Sequence, residues 1–96
     1  MRLPKDRPPT HPGEILLQDF LLPMEITQVA LAKHLNWTYA RVNEIVNGKR
    51  GVTASTALAL SEAFGVEADF WLNLQMNYDL WHALQGHKPV NPLLAA

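Results

Sequence analysis

The stretch TYARVNEIVNGKR, residues 38–50, places side chains able to recognise a nucleic-acid groove along one helical face. Wound as a helix, it turns Val42 and Ile45 inward. Tyr39, Ala40, Arg41, Asn43, Glu44 and Asn47 then point outward or nearly so. A guanidinium matches the O6 and N7 of guanine, and a carboxamide matches the N6 and N7 of adenine. A merely solvated face would favour Lys and Glu four residues apart, and that spacing is absent here. Lys49 and Arg50 follow directly and suit phosphate oxygens.

The charge distribution agrees with this chemistry. The chain carries a formal net charge of −1, yet four of its eight Lys and Arg residues, Lys33, Arg41, Lys49 and Arg50, fall between Ile26 and Ser61 against Glu44 alone. Glu14, Asp19 and Glu25 precede that window; Glu62, Glu67, Asp69 and Asp79 follow it. Other chemistries find little support. There is no cysteine, so neither a disulfide nor a thiolate is available. The four histidines, at 11, 34, 82 and 87, form no HExxH pattern. GKRG lacks the spacing of a phosphate-binding loop and follows no strand. No enzyme activity, catalytic residue, metal or cofactor is therefore expected.

Elements that could position the face read as helices throughout. Ninety-six residues fit one domain, and no proline falls between Glu25 and Lys88. A first helix is expected from about Gly13 to Leu22, before Pro23. Thr27, Thr38 and Thr53 stand where N-caps are needed for helices over 28–35, 39–46 and 54–64. Gly48 and Gly65 suit the ends of the last two. A fifth helix spans about 68–84. The reading is all-α: an arm over 1–12, a body over 13–85 and a loose tail over 86–96. The turn at Asn36-Trp37 is too short for an antiparallel hairpin, so the second and third helices must cross steeply. Small Ala32 suits the close approach, Asn36 suits a left-handed turn, and Leu31, Leu35, Val42 and Ile45 supply the core.

The blocks HPGEILLQDFL, TQVALAKHL, RVNEIVNGKRGVTASTALALSEAFG and DFWLNLQMNYDL resemble the HigA (VapI-like) antitoxins of the Xre, or lambda-repressor-like, helix-turn-helix family. The resemblance runs over about residues 11–82. It implies a five-helix lambda-repressor-like domain. It also implies an antitoxin that neutralises a HigB/RelE-like mRNA-cleaving toxin and represses its own operon by binding double-stranded operator DNA as a homodimer. A solitary regulator without a toxin is the alternative.

Such a motif lays its third helix in the major groove, which points to Thr38, Tyr39, Ala40, Arg41, Asn43 and Glu44. Arg41 suits guanine and Asn43 adenine; Tyr39 suits a thymine methyl or a phosphate. Glu44 either accepts from cytosine or pairs with Arg41. Gln28 matches a family glutamine that reaches phosphate, while Asn47, Lys49 and Arg50 complete the expected DNA-binding set. Bulky Trp37 is unusual in this turn and either packs beneath the second helix or presses on the DNA backbone.

FWLNLQMNYDLWHAL is apolar on two faces and must be covered twice. Phe70, Leu74, Tyr78 and Trp81 are expected against the domain's own core. Leu72, Met76, Leu80 and Ala83 are expected against a second copy, as a dimer interface. The N-terminal arm and the acids of the first helix are the candidate toxin surfaces. No apolar run approaches the roughly 20 residues needed to span a membrane, and the N-terminus lacks the apolar stretch of a signal peptide. A cytoplasmic location without membrane contact is expected.

Overall fold

A computed structural model describes residues 7–94; the outermost parts of the expected arm and tail lie outside the described residues. Among them, the chain forms helices and no strand. Helix α1 starts as α-helix over Pro12–Ile15 and continues as a π-helix over Leu16–Leu21. It is followed by α2 (Gln28–Leu35), α3 (Tyr39–Val46), α4 (Ala54–Phe64) and α5 (Ala68–Gln85).

Local chemistry accounts for most of these boundaries. Thr27, Thr38 and Thr53 each accept a backbone N–H, from Ala30 at 3.0 Å, Arg41 at 3.1 Å and Thr56 at 3.4 Å. Asn36 ends α2 in the left-handed region, with φ 57° and ψ 40°. An amide side chain tolerates that conformation better than most. The turn is thus fixed at both ends by residues suited to it, and α2 and α3 meet as a helix-turn-helix.

Helix α1 departs from the expected form. It begins at Pro12, a residue suited to a first helical turn. His11 supplies the cap, its Nδ1 accepting the Gly13 N–H at 2.8 Å. From Leu16 the helix widens, and the Leu22 N–H donates to the Leu17 carbonyl at 2.9 Å. The physical reason is packing. On an α-helix, residues five apart point about 140° away from one another. The wider turn brings Leu16 and Leu21 onto one face, and both are buried.

The core gathers Leu16, Leu21, Leu31, Val42, Ile45, Ala57 and Leu60 around Trp71. Helix α1 crosses α3 so closely that a Cβ at Gly13 would overlap the Ile45 carbonyl. His11 and Pro12 are themselves buried, so the end of the arm belongs to the body. The expected register of α5 is corrected by about one residue. Trp71 is fully buried, whereas Phe70, placed inward from sequence, is 37 % exposed and lies edge-on to Trp71. With both faces of the helix apolar, packing against Phe20 selected the larger ring.

The C-terminal half of α5 leaves the body. The Cα radius of gyration is 15.9 Å, against about 12 Å for a compact chain of this length. Most residues beyond Tyr78 are exposed.

Candidate nucleic-acid interface

The polar residues of α3 form a connected surface. Asn43 is its hub. Its Nδ2 donates to Gln28 Oε1 at 3.1 Å and to Tyr39 Oη at 3.3 Å. Asn47 Nδ2 donates to the Asn43 carbonyl at 3.0 Å and to its Oδ1 at 3.1 Å. The helix-turn-helix crossing places Gln28, at the start of α2, over the middle of α3. These bonds hold four hydrogen-bonding side chains in defined positions. Ala40 and the cap Thr38 are exposed beside them.

Glu44 pairs with Arg50, not with Arg41. Glu44 Oε1 accepts from Arg50 Nη2 at 2.7 Å and from Nε at 3.0 Å. The chain past α3 folds back, with the N–H groups of Lys49 and Arg50 donating to the Glu44 carbonyl at 2.8 and 3.2 Å. That return brings Arg50 to Glu44. Both side chains are about half exposed, so the pair stabilises the fold by at most about 1 kcal/mol and can yield Arg50 to a phosphate. Lys49 is exposed and has no ion-pair partner among the described residues.

Arg41 stands apart from this network. Its guanidinium lies 3.8 Å from the centroid of the Trp37 ring, and Nη2 donates to Thr56 Oγ1 at 3.2 Å. Its Nε is buried without a hydrogen-bond partner. Trp37 itself is partly buried and packs against the core. Arg41 therefore ties the turn and α3 to the start of α4. A cation stacked on an indole is worth about 0.5–2 kcal/mol. Moving Arg41 to a guanine would forfeit that contact together with its Thr56 bond.

Several supporting residues were not anticipated. Thr56 holds Arg41. Gln75 fixes the loop after α3: its Oε1 accepts the Val52 N–H at 2.7 Å, and its Nε2 donates to Asp79 Oδ1 at 2.9 Å. A glutamine four residues after Trp71, on an otherwise apolar stripe, was the available signal. His11 meets Tyr78 edge-on, with centroids 4.8 Å apart. Burial holds its imidazole below the ordinary value, with Asp79 opposing that shift.

Among the described residues, no three His, Cys, Asp or Glu side chains converge as metal ligands, and no helix is long and apolar enough to cross a membrane. On the outer side of α5, Leu72, Met76, Leu80 and Ala83 line a shallow apolar hollow with Val52. Met76 is 55 % exposed and Leu80 49 %.

Comparison with known proteins agrees with this geometry. The helix-turn-helix family matches residues 17–71. Virulence-associated protein I of Dichelobacter nodosus is 46% identical over 89 residues, covering 93% of this chain and 82% of that protein. Antitoxin HigA-1 of Vibrio cholerae is 44% identical over 82 residues, covering 84% and 75%. Among solved structures, Pseudomonas aeruginosa antitoxin HigA with the higBA promoter aligns at TM-score 0.81 and 41% identity, over 90% of this chain and 99% of that one. Antitoxin GraA in complex with its operator aligns at TM-score 0.84 and 38% identity, over 98% and 100%. This chain belongs to the Xre-type helix-turn-helix family, in its HigA- and VapI-like antitoxin branch.

Proposed function

We propose that this protein is an antitoxin that represses its own operon, gripping operator DNA as a dimer and neutralising a HigB/RelE-like mRNA-cleaving toxin. The observation that carries the DNA-binding part is the linked outer face of α3, where Gln28, Tyr39, Asn43 and Asn47 are held by one another. Ordering these groups beforehand lowers the entropic cost of binding. Two relatives of this fold, antitoxins HigA and GraA, were solved with promoter or operator DNA.

In this reading α3 enters the major groove. Tyr39, Asn43 and Glu44 face base edges, with Thr38 and Ala40 alongside. Gln28, Asn47, Lys49 and Arg50 hold phosphates. Arg41 keeps its seat on Trp37 and fixes the angle of α3. The stripe Leu72, Met76, Leu80 and Ala83 pairs with its counterpart on a second copy. Twofold pairing would set the two α3 helices about 34 Å apart, one turn of DNA.

An electrophoretic mobility shift on the chain's own promoter tests the assignment. Binding is expected to weaken steeply as salt rises, because each phosphate contact releases a counterion. Replacing Lys49 with Ala should lower the logarithmic salt slope by about one and weaken all sequences alike. Indifference to salt, or equal binding to any duplex, contradicts the proposal. Co-expression with the product of the adjoining reading frame tests the antitoxin part: growth should be rescued. A chain that shifts its promoter yet protects no cell would be a solitary regulator.

A further inference from the structure

Two hollows between α2 and α4 share His34 and Ala63 and run together as one groove. The larger, about 330 Å³, is walled by Ile26, Ala30, Leu31 and Phe64; the smaller, about 310 Å³, reaches Glu62. No residue of the α3 polar network lines the groove, and none of the Leu72–Ala83 stripe does.

Three observations converge on it. The larger hollow is walled mainly by apolar side chains, and the smaller sets Leu35 and Ala59 beside His34 and Glu62, so apolar and acidic groups adjoin along one groove. The corner leading into it is strained: Glu25, beside Ile26, holds a left-handed backbone at φ 55°. A side chain pays for that conformation, and such strain gathers at functional sites. The same corner leaves Leu22 58 % and Met24 52 % exposed. Finally, exposed Glu62 lines the groove and exposed Glu25 adjoins Ile26 on its wall, against exposed Lys33 next to His34.

We propose that this groove docks a basic protein segment, which seats aliphatic side chains between α2 and α4 and sets Lys or Arg against Glu25 and Glu62. The inference rests on the antitoxin reading and deepens it by naming the surface the toxin meets. A protein that cuts RNA must attract phosphate and is accordingly basic. The acidic frame and apolar floor complement such a partner, whereas DNA would be repelled here.

The test uses the full chain and, as probe, the purified product of the adjoining reading frame. Two variants are compared with the parent: Ala30→Arg, which blocks the groove with a bulky cation, and Glu25→Lys with Glu62→Lys. Each should weaken the complex about 30-fold or more, the scale of losing a buried anchor. The preference for the promoter over a scrambled duplex, and thermal melting, should stay unchanged. If the parent chain binds the probe and both variants bind it equally well, the groove assignment is overturned while the antitoxin reading stands. If the parent does not bind the probe, both fail. If the variants instead dissociate the dimer in sedimentation, the groove belongs to a second copy and the proposal is wrong.

Discussion

The outer face of α3 and the outer stripe of α5 differ in how their side chains are satisfied, and this separates their roles. On the α3 face, Tyr39, Asn43 and the cap Asn47 are already joined by hydrogen bonds to one another and to Gln28 of α2, and Glu44 holds Arg50. These bonds can be exchanged for bonds to DNA at small net cost, because hydrogen bonds at an exposed surface contribute little over water. On α5, Met76 and Leu80 have no such exchange available. Only another apolar surface relieves their exposure. One face is therefore suited to a reversible polar partner, the other to a lasting apolar one.

The largest expected effect breaks the apolar side of this comparison. Replacing Met76 and Leu80 together by Glu should abolish self-association, since two apolar anchors worth about 1.5–3 kcal/mol each are lost and charges are buried in their place. Sedimentation velocity checks this; a dimer that persists would move the interface elsewhere. Arg41→Ala comes next. Loss of its Trp37 stacking and Thr56 bond should lower unfolding free energy by about 1–3 kcal/mol, measured in urea. A stability within error of the parent, alongside collapsed DNA binding, would return Arg41 to the base-reading set.

The smallest effect sharpens the frame that carries both faces. His11 in its neutral form caps α1 and touches α5 through Tyr78. Burial lowers its folded pKa below the ordinary 6.5. The unfolded chain then binds the proton first, so stability is complete above about 6.5 and declines as pH falls towards the lowered value. Urea unfolding at neutral and mildly acidic pH should show this loss, and His11→Asn, which keeps an acceptor without titrating, should flatten it. An unchanged slope in the variant would assign the pH dependence to other groups.

Much of this arrangement was legible in the residues because it is decided locally. Thr27, Thr38 and Thr53 cap helices through their own following backbone, and Asn36 makes its turn by itself. What escaped depends on distant partners. The guanidinium of Arg41 is claimed by Thr56, fifteen residues away. Glu44 finds Arg50 because the chain folds back after α3. The π-helical turn of α1 exists because Leu16 and Leu21 must share a buried face. In α5, apolar residues on all sides allowed a register one residue off, with Phe70 inward, and packing against Phe20 buries Trp71 instead. Tyr39 stands half exposed on α3, whereas the Arg41 guanidinium folds back onto Trp37 and Thr56, a contact set by residues outside the helix.

The central claim is that the outer side chains of α3 discriminate among DNA sequences. It is tested most directly by the ratio of affinities for the chain's own operator and a scrambled duplex, at one fixed salt concentration, for the parent and for a Tyr39→Ala, Asn43→Ala variant. Each lost base contact should remove about 1–3 kcal/mol of discrimination, so the ratio should collapse towards one while the dimer and the fold persist. A variant that remains folded and dimeric and keeps the parent's ratio would contradict the account.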